Sequence, residues 1–579
     1  MTTDTQSAKT YFVDVIRPKL KILPSLPLAL WVIFFIAVPL IFTVAYSFQT
    51  YGYYVVDLPW TLENYRGLFD TSAYYEMFLK TVIVSFIISI VGMLIATPMA
   101  YYLSRIASKR LGVALLLITV IPLWMNIVVR NYAWISMTIK GGVMDKLHQA
   151  VGLNYGSWLF HIELVTVVGI LLFVPISLLV LYGSMGSISQ EIEEASMDLG
   201  NSRIKTFFKT IFPLSASAYQ TAFLLTFMPS LAMYVTPKLL GGTDGMLLAS
   251  VLMPVVKSSL NFAKGGAIVI PIMVLLLVVT FLLRRRINIE NVYRAGVGSN
   301  IARATNRKNP WLLIYCLIVI GITYIPVVSL VFFSFDANPL AMLPLMGPSW
   351  VWYQDMLNST GLLNALKATV LVGLETAGIA VAVSAPAAYA VTRFKFMGRG
   401  LIVFMSLLPM LIPEFITGMA IMLMLDAFGA RLSLHTIAVG HVTLAIPFVF
   451  LTILAQQYGF DRHIEEASQD LGSTPLAGFF KVTLPQMMPA IIAAGFLAIT
   501  VSFNDYVVSF LLTGTDTTFP VFIFGLLKSG VSPTVNAAGS LLLGAVVLLL
   551  IIGLIRPWKY LTIIPKKYRT IPGIDRFSS

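Results

Sequence analysis

The sequence predicts an all-α integral membrane protein of twelve transmembrane helices, arranged as two parallel six-helix repeats. Three observations carry this. Of 579 residues 58% are apolar and only 11% are charged, less than half the charged share of about 25% in ordinary soluble domains, so the surface of a soluble enzyme cannot be built. Twelve apolar runs approach the roughly twenty residues that cross ~30 Å of hydrocarbon. They lie near 28–48, 79–104, 111–135, 163–183, 215–236 and 264–283, then 311–334, 366–391, 401–424, 434–455, 488–512 and 537–555. Finally, the second six align with the first six.

Taken in order, the first run is a retained anchor rather than a cleaved signal. Lys9, Arg17, Lys19 and Lys21 precede a long span that runs into Gln49-Thr50-Tyr51 instead of a small-residue cleavage site. With the N-terminus placed in the cytoplasm, the cytoplasmic segments carry 28 of the 39 Lys and Arg residues, seven of them in 284–310. Basic residues are retained on that side, so both termini are expected there. The net charge of +13 is therefore a topology signal and an attraction to anionic lipid, and no nucleic-acid partner is implied. The expected organisation is a tail over 1–24, a first repeat over 25–284, a linker over 285–309, a second repeat over 310–556 and a tail over 557–579. The lone Cys316 lies inside a span, which excludes a disulfide framework and a thiolate metal site.

The repeat is explicit. At an offset of 287, Pro39 with Ser47-Phe48 falls on Pro326 with Ser334-Phe335, and at 288 Pro98 and Arg105 fall on Pro386 and Arg393. Past the third span the offset drops to 272: Pro175 meets Pro447, Tyr234 meets Tyr506, and Gly242-Thr243-Asp244 meets Gly514-Thr515-Asp516. About fifteen extra residues near Gly141 to Asn154 account for the change. An even number of spans per half makes the repeat parallel, with its pseudo-two-fold axis along the membrane normal.

The closest match between halves falls in the polar loop after the fourth and tenth spans. Ile192-Glu193-Glu194-Ala195-Ser196-Met197-Asp198-Leu199-Gly200 recurs as Ile464-Glu465-Glu466-Ala467-Ser468-Gln469-Asp470-Leu471-Gly472, followed by Phe207-Phe208-Lys209 and Phe479-Phe480-Lys481. Twelve of 22 positions over 192–213 are identical, where composition alone gives about one or two. A solvated polar linker has no packing reason to repeat itself so closely, so a duplicated partner is expected. Ile192, Ala195, Ser196 and Leu199 fall at helical spacing on one face, with Glu194 and Asp198 opposite. Gly200 is placed to end the helix in a left-handed cap, and a second, basic and aromatic helix is expected from Ile204 toward Pro213.

These loops resemble the EAA loop of importer-type ABC transporter permeases: Glu-Ala-Ala, three residues, Gly, nine residues, then Ile-x-Leu-Pro. Both copies fit, from Glu194 to Gly200 with Pro213, and from Glu466 to Gly472 with Val482-Thr483-Leu484-Pro485; Ser196 and Ser468 replace the second Ala, and Thr210 and Phe212 replace Ile and Leu in the first copy. The resemblance implies the fold of a type I ABC importer permease in a bacterial inner membrane. It makes Glu193, Glu194, Ala195, Ser196, Asp198, Leu199 and Gly200, with Glu465, Glu466, Ala467, Ser468, Asp470, Leu471 and Gly472, a pair of coupling helices for a cytoplasmic ATPase dimer. ATP and Mg²⁺ would sit on that partner, since the chain has no Gly-x-x-x-x-Gly-Lys-Ser/Thr phosphate loop. The chain itself is expected to be no enzyme and to hold no cofactor or metal.

Over nearly its whole length the chain resembles the spermidine/putrescine type of permease, with two separately encoded subunits joined. Arg130-Asn131-Tyr132-Ala133-Trp134 with Gly141-Gly142 resembles one subunit. His441 with Pro447-Phe448, and Phe503-Asn504-Asp505 with Ser509, resemble the other. Asn504 stands where the resemblance expects an acid. A polyamine-like cationic or zwitterionic solute, delivered by an external solute-binding protein, is implied. Iron(III), aminoethylphosphonate, opines and amino-acid derivatives are alternatives.

Ionisable residues inside spans are costly and read first as functional. Glu375, Glu414 and Asp505 qualify, with Asn504 beside Asp505. Trp124, Tyr132 and Trp134 are placed to add cation–π contacts of about 0.5–2 kcal/mol each, with Arg130 among them. The competing reading pairs each acid with Arg130, His441 or a backbone donor to hold helices together, and His441 reads as a packing histidine. A major-facilitator transporter shares twelve spans and a parallel repeat, but gives no reason for duplicated acidic loop helices.

Overall fold

The computed structural model describes residues 22–50, 59–70, 72–150, 158–283, 309–339, 343–461, 463–529 and 533–555. Apart from 22–24 and 309, the two tails and the linker expected from the sequence lie outside these. Among the described residues every multi-residue element is helical, and the strand pairing consists of isolated bridges at matching places in the halves, Gln49 with Trp60 and Asp336 with Pro348.

Among the described residues eight helices are long and apolar enough to cross a membrane: Leu23–Ser47, Ser72–Ile106, Ile162–Ser187, Phe262–Leu282, Pro310–Ser334, Thr360–Arg393, Leu434–Tyr458 and Phe479–Asn504. The expected third and ninth spans are not single helices but bent pairs, Lys109–Trp124 with Ile127–Lys146 at 93° and Arg399–Met410 with Glu414–Ala427 at 100°. In the fifth, Ala216–Leu231 meets the expected loop helix, here Arg203–Leu214, at 69°; it ends short of 236, as Phe479–Asn504 in the eleventh ends short of 512. The twelfth falls on the helix Pro533–Ile555.

Local chemistry explains these boundaries. Asn309 accepts from the Leu312 amide with Pro310 at the first helical position, and Ser359 accepts from Leu362 ahead of Thr360, both favoured N-terminal arrangements. Ser433 and Thr436 form a reciprocal capping box at the head of the tenth span. The third span breaks where Asn126 bonds the Val128 and Val129 amides, starting a new helix just after the tight turn Ile121–Trp124. The ninth breaks at Pro413, whose extended backbone precedes the helix from Glu414, because proline has no N–H for the ladder.

The first span of each half packs on the other half, an exchange that the linear repeat conceals. Leu28, Val32 and Ile36 are buried with Ala380, Ala387, Val449 and Ile453 of the second half, and Trp31 Nε1 donates to Thr443 Oγ1 at 3.1 Å. Reciprocally, Cys316, Val319 and Ile320 are buried with Ala96, Leu178 and Leu181 of the first. Tyr315 and Tyr324 donate to the carbonyls of Ile95 and Ile118. The last span closes the same seam: a Cβ at Gly539 would lie 2.3 Å from Val129 Cγ1 and 3.4 Å from Leu330. Valine is stiff at χ1, so the Gly539→Val variant is expected to lose about 1–3 kcal/mol. The check is a lowered thermal unfolding midpoint of the detergent-purified chain.

Candidate functional site

The pseudo-two-fold axis passes between Tyr234 and Tyr506, equivalent residues whose rings stack 5.9 Å apart and are parallel within 1°. Each follows the end of a long helix, at Leu231 and Asn504. Around them the breaks of the two halves are stitched together. Asn126 Nδ2 donates to the Phe503 carbonyl at 3.0 Å, and Asn504 Nδ2 donates to the Leu123 carbonyl at 3.2 Å. Backbone groups freed by a broken helix need partners in a water-poor interior, and here each break supplies the other's. Asn126 was not singled out from sequence; its signal was an N-cap residue just after the Pro122 turn.

Asp505 lies in this centre, 6% exposed. Its carboxylate accepts from the Val508 and Ser509 amides and lies 2.9 Å from His441 Nε2. His441 in turn reaches Ser509 Oγ at 3.0 Å and, through Nδ1, Ser502 Oγ at 2.7 Å. Read from sequence as a packing residue, His441 is the hub of a polar cluster. At the 272 offset the same positions in the first half are Met233 and Gly169, which face each other with 3.5 Å between Met233 Cε and a Cβ built on Gly169. The fold accepts an apolar contact there, so the polar cluster belongs to the second half alone and is not a requirement of packing.

Glu414 begins the second helix of the broken ninth span. It is exposed between buried Pro413 and the buried run from Phe415 to Met424. Asp505 is near enough for its charge to act on Glu414, and among the described residues no hydrogen bond or ion pair engages the Glu414 carboxylate. Tyr132, fully buried, joins Tyr234, Tyr506 and Phe415 in the same central cluster, and Trp124 is half-buried at the third-span break.

The remaining path residues lie elsewhere. Glu375 pairs with His435 at 3.1 Å, near the start of the tenth span. Trp134 packs in a separate cluster with Val84, Val168 and Phe173. Together with Arg130 it lines a narrow cleft against Pro175 and Pro326. Arg130 donates to the Pro122 carbonyl at 2.9 Å, placing a cation at the C-terminal end of a helical segment, where the dipole favours it.

On the loops, helices run Gln190–Asp198 and His463–Asp470. Gly200 and Gly472 take φ of +85° and +89°, a left-handed cap that closes both helices in the same way. Ser196, replacing the second Ala of the motif, is buried and accepts from Thr210 at 3.1 Å, tying the loop helix to the helix that follows. The expected apolar inward face is not what packs: of Ile192, Ala195, Ser196 and Leu199 only Ser196 is buried, and Glu193 and Met197 flank it. Leu199 and Leu471 stand 85% and 89% exposed, with Ile192, Ile464, Phe208 and Phe480 also exposed. Glu194, Asp198, Glu466, Ala467 and Asp470 are exposed beside them, and Ser468 is half-buried. Exposed apolar side chains grouped on a loop mark a docking surface, and this one occurs twice.

Broken, stitched spans around a polar centre, with a duplicated docking loop at one end, define a multi-span membrane permease made of two related halves. The chain belongs to the family described as binding-protein-dependent transport system inner membrane component, which matches residues 88–289 and 376–561. It is 34% identical over 247 residues to the putrescine transport system permease protein PotI of Escherichia coli K12, covering 41% of this chain and 88% of that one. It is 30% identical over 230 residues to the spermidine/putrescine transport system permease protein PotC of Haemophilus influenzae, covering 40% and 89%. With PotB of the same organism the identity is 29% over 270 residues, covering 45% and 94%. A solved bacterial alginate ABC transporter, in complex with a periplasmic protein, overlaps 48% of this chain at a TM-score of 0.40 and 15% identity. The chain is thus a multi-pass inner-membrane permease of ABC type that works with a solute-binding protein.

Proposed function

We propose that the two halves together import a small cationic solute of the polyamine class, received from the external binding protein and released to the cytoplasm. ATP hydrolysis and its Mg²⁺ belong to a separate ATPase dimer seated on the two loop helices, and this chain performs no catalysis. Both termini face the cytoplasm, and the repeats occupy 25–284 and 310–556.

One observation carries the cationic reading: Glu414 is an exposed carboxylate between buried neighbours, with no hydrogen bond or ion pair among the described residues and within reach of the Asp505 charge. Two carboxylates so placed repel one another, and an ammonium group between them relieves that repulsion. Glu414 also answers the question left by Asn504, since it supplies from the ninth span the second acid that the eleventh lacks. The relatives named for putrescine and spermidine support the same class.

The test is ATP-dependent accumulation of radiolabelled putrescine in inverted-topology-controlled vesicles holding this chain, its ATPase and its binding protein. Saturable uptake that excess spermidine suppresses supports the proposal. Uptake unaffected by polyamines but suppressed by iron(III), aminoethylphosphonate or an amino-acid derivative overturns the solute class.

A further inference from the structure

We propose that Glu193 and Glu465 are positioning residues that latch each loop helix to the second span of its own half, so that movement of the docked ATPase is delivered to the second and eighth spans. The inference rests on reading the loops as ATPase docking sites, and it removes the first glutamate of each pair from the docking surface.

The Arg–Glu pair of the latch occurs at equivalent places in both halves, while the groups that support it differ. In the first half, Arg105 at the end of the second span lies 2.8 Å from Glu193 Oε2, with side chains 3% and 14% exposed. Arg105 also donates to the Ile188 carbonyl at 2.5 Å, and Tyr101 donates to Glu193 Oε1 at 2.8 Å. In the second half, Arg393 at the end of the eighth span lies 3.2 Å from Glu465, with side chains 7% and 12% exposed, and Thr483 donates to the same carboxylate. Arg393 also lies over the Phe460 ring. Tyr101 meets Phe207 edge-on at 5.6 Å, and Tyr389 meets Phe479 edge-on at 4.9 Å. Both Phe-Phe-Lys stretches open into a wide π turn, Phe207–Ile211 and Phe479–Thr483, a feature common at functional sites. Tyr101 and Arg105 repeat at an offset of 288 whereas Glu193 and Phe207 repeat at 272. Two segments that diverged in spacing have kept one junction.

The junction also suits its ends. Arg105 and Arg393 sit in the last turn of their helices, and Glu193 and Glu465 sit in the first turn of theirs, so each charge faces the dipole that stabilises it. From Arg393 the eighth span runs as one helix to Gly373, about 30 Å at 1.5 Å per residue. There a Cβ would come 2.5 Å from the Phe503 ring, and Phe503 carries the carbonyl that Asn126 holds. At the matching level of the second span, Ser230 donates to the Ser85 carbonyl at 3.5 Å. A rigid rod thus joins each loop to the central break.

The experiment uses the full chain co-expressed with its ATPase. Cys316 is buried and is the one native cysteine, so spin labels at Lys109→Cys and Met397→Cys report the separation of the two cytoplasmic ends without reference to any solute. In the wild type the distance is expected to differ between the nucleotide-free and vanadate-trapped complexes. In Glu193→Gln with Glu465→Gln, that difference is lost while ATPase co-purification is retained; the exchanged pairs, Arg105→Glu with Glu193→Arg and Arg393→Glu with Glu465→Arg, restore it. Tyr101→Phe, which keeps the charges, reduces it partly. Release of the ATPase by the Gln variant overturns the latch in favour of direct contact, and an undiminished distance change overturns it outright. A wild-type chain that recovers no ATPase overturns the docking reading beneath it.

Discussion

Glu414→Gln is expected to abolish ATP-dependent putrescine uptake while the chain folds and binds its ATPase as the wild type does. An ammonium about 4 Å from a carboxylate gains roughly 4 kcal/mol at the effective dielectric near protein surfaces, so losing that charge costs uptake at least about 100-fold. The side chain engages no partner among the described residues, so its amide leaves nothing else unsatisfied. Asp505 provides the contrast. Asp505→Ala strips His441 and the Val508 and Ser509 amides of their acceptor, and leaving a buried donor unsatisfied costs about 1–3 kcal/mol. Lost uptake is expected there too, together with a lowered unfolding midpoint. Measuring initial uptake and thermal unfolding on both variants separates the roles: wild-type uptake in Glu414→Gln would remove this residue from the solute path.

The second large effect belongs to the loops. Leu199→Asp combined with Leu471→Asp is expected to release the ATPase completely in a pull-down. Burying one leucine stabilises a contact by about 1.5–3 kcal/mol, and the substitution both removes that and places a charge in the partner's pocket. Charge reversal at Glu194 and Glu466, exposed beside the leucines, is expected to weaken recovery less. ATPase recovery unchanged in the double Asp variant would show that the partner binds elsewhere.

Much of the fold was legible because the bilayer imposes it. Span length follows from hydrocarbon thickness, and the repeat from residues that recur at fixed offsets, down to the Tyr234 and Tyr506 pair that the structure stacks on the axis. The loop helices and their glycine caps were legible as well, since helical spacing and a left-handed glycine are local properties. The breaks were less so. Pro122 and Pro413 were visible, but prolines at 98, 175, 326, 386 and 447 lie within continuous helices, and neighbouring helices decide which one breaks. Reading Ile192, Ala195, Ser196 and Leu199 as an inward face failed for a related reason. Periodicity finds an apolar stripe without saying what covers it, and here the chain covers Glu193 instead.

By itself, then, the sequence determined that this is a duplicated, all-helical membrane protein with two matching partner loops, since composition, span length and internal repetition each act along the chain. Three things were decided only in three dimensions: the exchange of first spans, the division of each acidic pair into one latched and one exposed glutamate, and the approach of Glu414 to within reach of the Asp505 charge. Each brings together residues far apart along the chain, and the free energy of a packed or charged side chain there depends on neighbours that no local pattern specifies.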